Sequence, residues 1–154
     1  LYLTSVILLV RKSPSQVSHK TRLAWVLECL SLMVVLSTLI GLVSPVHSGN
    51  QETLIDVQSQ VPFLVFGLFL VNASLVEEVV YRGCLWDLFS APYQALLVTS
   101  LIFALAHHPA SLSAWLVYLG FGLCLGVMRK QTDLYGAMVL HVLWNSFVLI
   151  VNSL

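Results

Sequence analysis

The sequence predicts an all-α fold, a polytopic bundle of transmembrane helices, and three observations carry that prediction. Of the 154 residues 58% are hydrophobic and only 9% charged, with a mean hydropathy of +0.92. A soluble domain has about 25% charged residues to face water on all sides, so the main solvent here is lipid. The apolar residues fall in long runs close to the roughly 20 residues that a helix needs to cross a bilayer. No ten-residue alternating pattern supports a β-barrel, the only other spanning form.

The runs give five full spans and a partial N-terminal one. The partial one is Leu1 to Val10; the chain opens inside an apolar run with no small-residue cleavage site after it, so a helix begun upstream is expected rather than a signal peptide. Leu23 to Val46 is a clean span interrupted only by Glu28, and Pro62 to Phe89 is longer than a span requires. Pro92 to His107 is short. Leu112 to Met128 carries Gly122-x-x-x-Gly126, a face that lets another helix approach closely. Leu134 to Leu154 closes the chain. The stretch from His47 to Gln60 reads as a loop.

Loop charges orient these spans. Arg11, Lys12, Lys20 and Arg22 cluster before the first full span, and Arg129 with Lys130 lies between the last two. The His47–Gln60 loop has no lysine or arginine but contains Glu52 and Asp56. The positive-inside rule places both basic loops in the cytoplasm and the acidic one outside, which strict alternation of five spans also requires. A multi-pass membrane protein is expected, in the cell membrane if the source is bacterial. The basic loop is accounted for by attraction to anionic headgroups of the lipid bilayer. With zero formal net charge and no basic stripe, no nucleic-acid partner is expected. Cys29, Cys84 and Cys124 show no metal or disulfide spacing and read as small core residues.

Against this background the polar residues inside the spans stand out. Glu77 and Glu78 follow sixteen residues of almost unbroken apolar character, and a carboxylate at membrane depth costs roughly 2.5–3.5 kcal/mol or more. Glu78 and Arg82 are four apart with the glutamate first, the favourable order for a helical ion pair. Glu77 points about 100° away from Glu78. The pairing therefore leaves Glu77 free to face another helix and to exchange a proton. A second group, Phe103 to Pro109, puts Phe103 and His107 on one face, with His108 following as a decoy. The third, His141 and Asn145, is again spaced by four and shares a face. Such a pair can polarise a carbonyl or stabilise an oxyanion, or simply bond two helices together. By helix rise, Glu77, His107 and His141 all fall within the hydrocarbon core, spread over about 12 Å of depth that tilt can absorb.

These three groups, in this order, resemble the CPBP family of intramembrane proteases, also called the Abi or CAAX-protease-like family. That family pairs a Glu-Glu-x-x-x-Arg motif with Phe-x-x-x-His and then His-x-x-x-Asn on successive helices. Tyr81-Arg82-Gly83 adds to the likeness, which covers Pro62 to Leu154. Residues 1–60 are then N-terminal transmembrane segments and loops, and 61–154 a catalytic core, within one integral-membrane domain. The resemblance implies an endopeptidase that hydrolyses a membrane-associated protein or peptide with glutamate- and histidine-activated water. Glu77 would be the general base and His107 would bind and activate the water. His141 and Asn145 would stabilise the oxyanion, while Glu78, Arg82 and Phe103 support the site. It implies no cofactor; by ligand count alone Glu77, His107 and His141 would suit Zn²⁺ with an open fourth position, though no H-E-x-x-H helix is present. Two other classes compete: a non-catalytic immunity factor or scaffold of the same fold, and a small transporter or proton relay. A protease requires the three motifs to converge on one cavity. A scaffold does not, and a transporter more often carries inverted repeats, of which there is no trace here.

Overall fold

The computed structural model describes residues 17–151 and 153, and the described elements are helical. Helix α1 is His19–Val43, α2 Gly49–Gln60 and α3 Phe63–Glu78. A π-helical segment, Val79–Leu85, and a short 3₁₀ turn, Trp86–Leu88, continue α3 without a break. Then come α4 (Pro92–Ala106), α5 (Leu112–Gln131) and α6 (Leu134–Val151). The partial span Leu1 to Val10, with Arg11 and Lys12, lies outside the described residues.

Four of the five expected full spans are long and apolar enough to cross a membrane: α1, the continuous Phe63–Leu88 unit, α5 and α6. The fifth, α4, has 15 residues and falls short. The chain is an integral, multi-pass membrane protein. One reading is corrected here: His47–Gln60 is not a plain loop, because twelve of its residues form α2. This helix is too polar to span. Its Leu54 and Val57 pack on a small cluster of Phe66, Leu70 and Leu149 at the ends of α3 and α6.

Helix α5 is the centre of the bundle, packed against α1, α4 and α6. Ten of its residues are buried, whereas α1 buries only Val26, Cys29 and Met33. Much of the rest of α1 is apolar and exposed, Leu23, Leu27, Leu39 and Leu42 included, as a lipid-facing helix requires. Cys29 and Cys124 are buried as expected; Cys84 is instead exposed on the π-helical segment, so its burial was misread.

The glycine pair on α5 serves close approach, as its spacing predicts. A Cβ at Gly122 would stand 2.9 Å from the Ser100 carbonyl oxygen and 3.0 Å from its Cα, both backbone atoms of α4 that cannot swing aside. At Gly126 it would meet Leu96 Cγ at 3.1 Å. Gly122→Ala is therefore expected to force α4 and α5 apart and to cost about 1–3 kcal/mol. Gly41→Ala, where nothing lies within 4 Å, is the matched neutral control. Thermal unfolding of the two variants in detergent checks the difference.

The helix ends near Arg22, Asp133 and Arg129 are tied by charge. Arg22 Nη2 meets Asp133 Oδ2 at 2.7 Å, joining the start of α1 to the α5–α6 turn. Asp133 also accepts the Gly136 N–H through Oδ1 at 2.7 Å, which caps the start of α6. Arg129, in the last turn of α5, donates from Nε to the Arg82 carbonyl at 2.8 Å. That carbonyl lies inside the π-helical segment, where the usual i→i+4 ladder is broken.

Candidate active site

Three helices bring the candidate residues to one cavity of about 560 Å³, lined among others by Glu77, His107, His141 and Asn145. Their meeting depends on the shortness of α4. It ends at Ala106, which leaves His107 beside Glu77 rather than carrying the helix past it. His107 Nε2 and Glu77 Oε2 face each other at 3.8 Å. That is wider than a direct hydrogen bond, and two bonds of about 2.8 Å through one water span it. Glu77 Oε2 is buried without a hydrogen-bond partner, although the side chain as a whole is 33% exposed.

The two glutamates divide as the helical geometry predicts. Glu78 and Arg82 are both fully buried and pair at 3.3 Å, Nη1 to Oε1. The guanidinium also donates from Nη2 to the Gly122 carbonyl at 2.9 Å and lies 4.8 Å from the centre of the Phe103 ring. Arg82 thus joins α3's continuation to both α4 and α5. Its position inside the π-helical segment is notable, since such wide turns cluster at functional sites.

Hydrogen bonds fix both histidine tautomers. His107 Nδ1 lies 2.7 Å from the Phe103 carbonyl oxygen, which can only accept, so Nδ1 carries the proton. The neutral ring then presents Nε2 to Glu77 as an acceptor. His141 Nδ1 lies 2.8 Å from Glu78 Oε1, the oxygen that Arg82 also holds. Against that carboxylate, Nδ1 is again the donor. Glu78 therefore serves two partners, where the sequence predicts only Arg82. Asn145 Nδ2 donates to Ser74 Oγ at 2.9 Å, and the Ser74 hydroxyl donates in turn to the Leu70 carbonyl at 2.8 Å. One Asn145 N–H is committed to α3, and the other remains.

His108 is separated from the group. It is exposed, takes a left-handed backbone with φ 49°, and does not line the cavity. Phe103 is buried and packs on His107 (ring centres 4.3 Å apart), on His141 (5.9 Å) and on Tyr81 (5.5 Å). Three contributors escape motif reading. Ser74 orients Asn145, Tyr118 stacks on His107 at 4.5 Å, and Ser48 bonds the Tyr118 hydroxyl at 2.9 Å. Ser74 has a faint sequence signal, one turn before Glu77 in an apolar run. Tyr118 and Ser48 have none. Among the described residues no three His, Cys, Asp or Glu side chains are gathered so as to hold a metal ion, and Glu77, His107 and His141 form no such set.

With this geometry in place, comparison with known proteins becomes specific. The family model described as type II CAAX prenyl endopeptidase Rce1-like matches residues 58–147, a stretch that contains every residue of the three motifs. The chain belongs to the Rce1-like family. It is 31% identical over 129 residues to UPF0177 protein YvdC of Lactococcus lactis subsp. lactis (strain IL1403), covering 79% of this chain and 49% of that protein. It is 29% identical over 146 residues to the membrane-embedded CAAX protease MroQ of Staphylococcus aureus (strain USA300), covering 84% of this chain and 58% of that one. The chain thus spans about half the length of the curated relatives it matches. No solved structure matches it significantly. Membership in the Rce1-like family agrees with the resemblance read from the motifs.

Proposed function

We propose that this chain is the working core of an intramembrane endopeptidase that hydrolyses a peptide bond of a membrane-associated protein or peptide. The observation that carries the reading is the pair of acceptors, Glu77 Oε2 and His107 Nε2, facing each other at 3.8 Å inside one cavity. A water between them donates one hydrogen bond to each, which turns its lone pairs toward a bound carbonyl carbon. Glu77 removes a proton as the water oxygen attacks, and later delivers it to the leaving amine as the C–N bond breaks. His107 holds the second O–H.

Stabilising the oxyanion falls to His141 and Asn145, both on the cavity wall. Asn145 offers the N–H that Ser74 does not take. For His141 to donate from Nε2 it must carry both ring protons, since Nδ1–H is given to Glu78. Glu78 and Arg82 act through position: they hold His141 and lock the helix that aims Glu77. In this reading no metal takes part.

Cleavage of a candidate membrane substrate by the purified protein tests the proposal. His107→Ala is expected to lower the rate by about 10²–10⁴-fold, and His108→Ala to leave it within about twofold, the ordinary range of a surface substitution. Loss in His108→Ala with His107→Ala unaffected would reverse the assignment. A chelator is expected to leave the wild-type rate unchanged; lasting inhibition, relieved by added Zn²⁺, would put a metal on Glu77, His107 and His141 instead.

A further inference from the structure

His107 follows the last residue of α4, a place where backbone order ordinarily falls off. The next residue, His108, already turns left-handed. A ring at such a position keeps one orientation only if its surroundings impose it. The Phe103 carbonyl fixes Nδ1 and the Phe103 ring covers one face. Tyr118, on α5, also stacks on the imidazole, nearly parallel at 27° with ring centres 4.5 Å apart.

What holds Tyr118 comes from a distant part of the chain. Its hydroxyl and Ser48 Oγ are 2.9 Å apart, and Ser48 is 1% exposed in the short connection between α1 and α2. That connection pairs antiparallel with the residues just after His107. Gly49 N–H donates to the His108 carbonyl at 3.3 Å, and Ala110 N–H donates to the His47 carbonyl at 3.0 Å. A closed circuit results: His107 rests on Tyr118, Tyr118 is tied to Ser48, and Ser48 is tied through the backbone to the segment that begins at His108. Neither Tyr118 nor Ser48 has a part in the three motifs.

We propose that Tyr118 and Ser48 are positioning residues for His107, their hydrogen bond fixing the tyrosine ring against the imidazole so that Nε2 stays aimed at Glu77. The consequence for rate rests on the proposed role of His107; the orientation of the ring does not. Loss of the hydroxyl link leaves the stack in place but lets it slide, and a displacement of about 1 Å at a reacting group can lower a rate about 10²-fold. Because the two residues share one bond, the effects on His107 that pass through it should not add.

The test uses the protein labelled with ¹⁵N in its histidine rings, in detergent micelles without substrate. His107 signals are assigned by their loss in His107→Gln. Tyr118→Phe and Ser48→Ala are each expected to shift the His107 ring ¹⁵N signals, in the same direction, without the two effects adding in the double variant. Tyr93→Phe, at an exposed tyrosine beside Lys130, should leave them in place. With a cleavable substrate, the same two variants should lower kcat about tenfold or more at unchanged KM, again without addition in the double. Unmoved His107 signals in both single variants, or effects that add in the double, would overturn the inference. If Glu77→Gln keeps full activity the protease reading fails, while the ring signals still decide this one.

Discussion

Glu77→Gln is expected to abolish peptide-bond cleavage while leaving the folded protein at least as stable as the wild type. The amide has nearly the shape of the carboxylate but cannot take a proton from water, so the loss is that of a general base, about 10²–10⁴-fold. Stability should move little or rise. Glu77 Oε2 has no hydrogen-bond partner within the protein, so no protein–protein bond is lost when its charge is removed. A carboxylate drawn out of water into an apolar bundle carries a desolvation cost that an amide does not, and function at the expense of stability is common at active sites. Glu77→Asp separates charge from placement: it keeps the carboxylate but withdraws it by one methylene from His107. An intermediate rate is expected, roughly 10²-fold down for a displacement near 1 Å. Cleavage assays beside thermal unfolding of the same preparations read both quantities. Full activity in Glu77→Gln would end the mechanism as written.

The unequal roles of the two glutamates are legible in the sequence because they depend only on helical spacing. Glu78 and Arg82 meet at i,i+4, and Glu77 faces elsewhere, where the cavity is. Depth is harder to read. Counting helix rise spreads the three motifs over about 12 Å, and the sequence does not say how tilt and helix length close that gap. The answer lies in α4, whose 15 residues end where His107 meets Glu77. Helix α2 escapes notice for another reason: its apolar residues are few, and it is held by tertiary contact with Phe66 and Leu149 rather than by periodicity. The π-helical segment has no residue signature either. It is held by packing partners, among them the Arg129 side chain on the Arg82 carbonyl. Tyr118 and Ser48 lie 70 residues apart, and only the folded bundle brings them to His107.

Arg82→Leu should have the largest effect on stability, and the double variant with Glu78→Gln should be less damaged than the single. Alone, Arg82→Leu strands the Glu78 carboxylate at zero exposure with only His141 to answer it, and frees the Gly122 carbonyl that Nη2 holds. Breaking a buried pair from one side costs on the order of 3–5 kcal/mol, because the surviving charge stays in a low dielectric. Glu78→Gln alone reverses the problem and leaves the guanidinium without its counter-charge, though Gln Oε1 can still accept from both Arg82 and His141. In the double variant neither member of the Glu78–Arg82 pair is left without the other, so its destabilisation should fall below the sum of the singles by more than 1 kcal/mol, the mark of a coupled pair. Denaturation of the four proteins in one detergent completes the cycle. Additive losses would mean that the two side chains support the bundle separately. The position of Glu77 would then have to be credited to packing of the helix, and the ion pair would lose its place in the site.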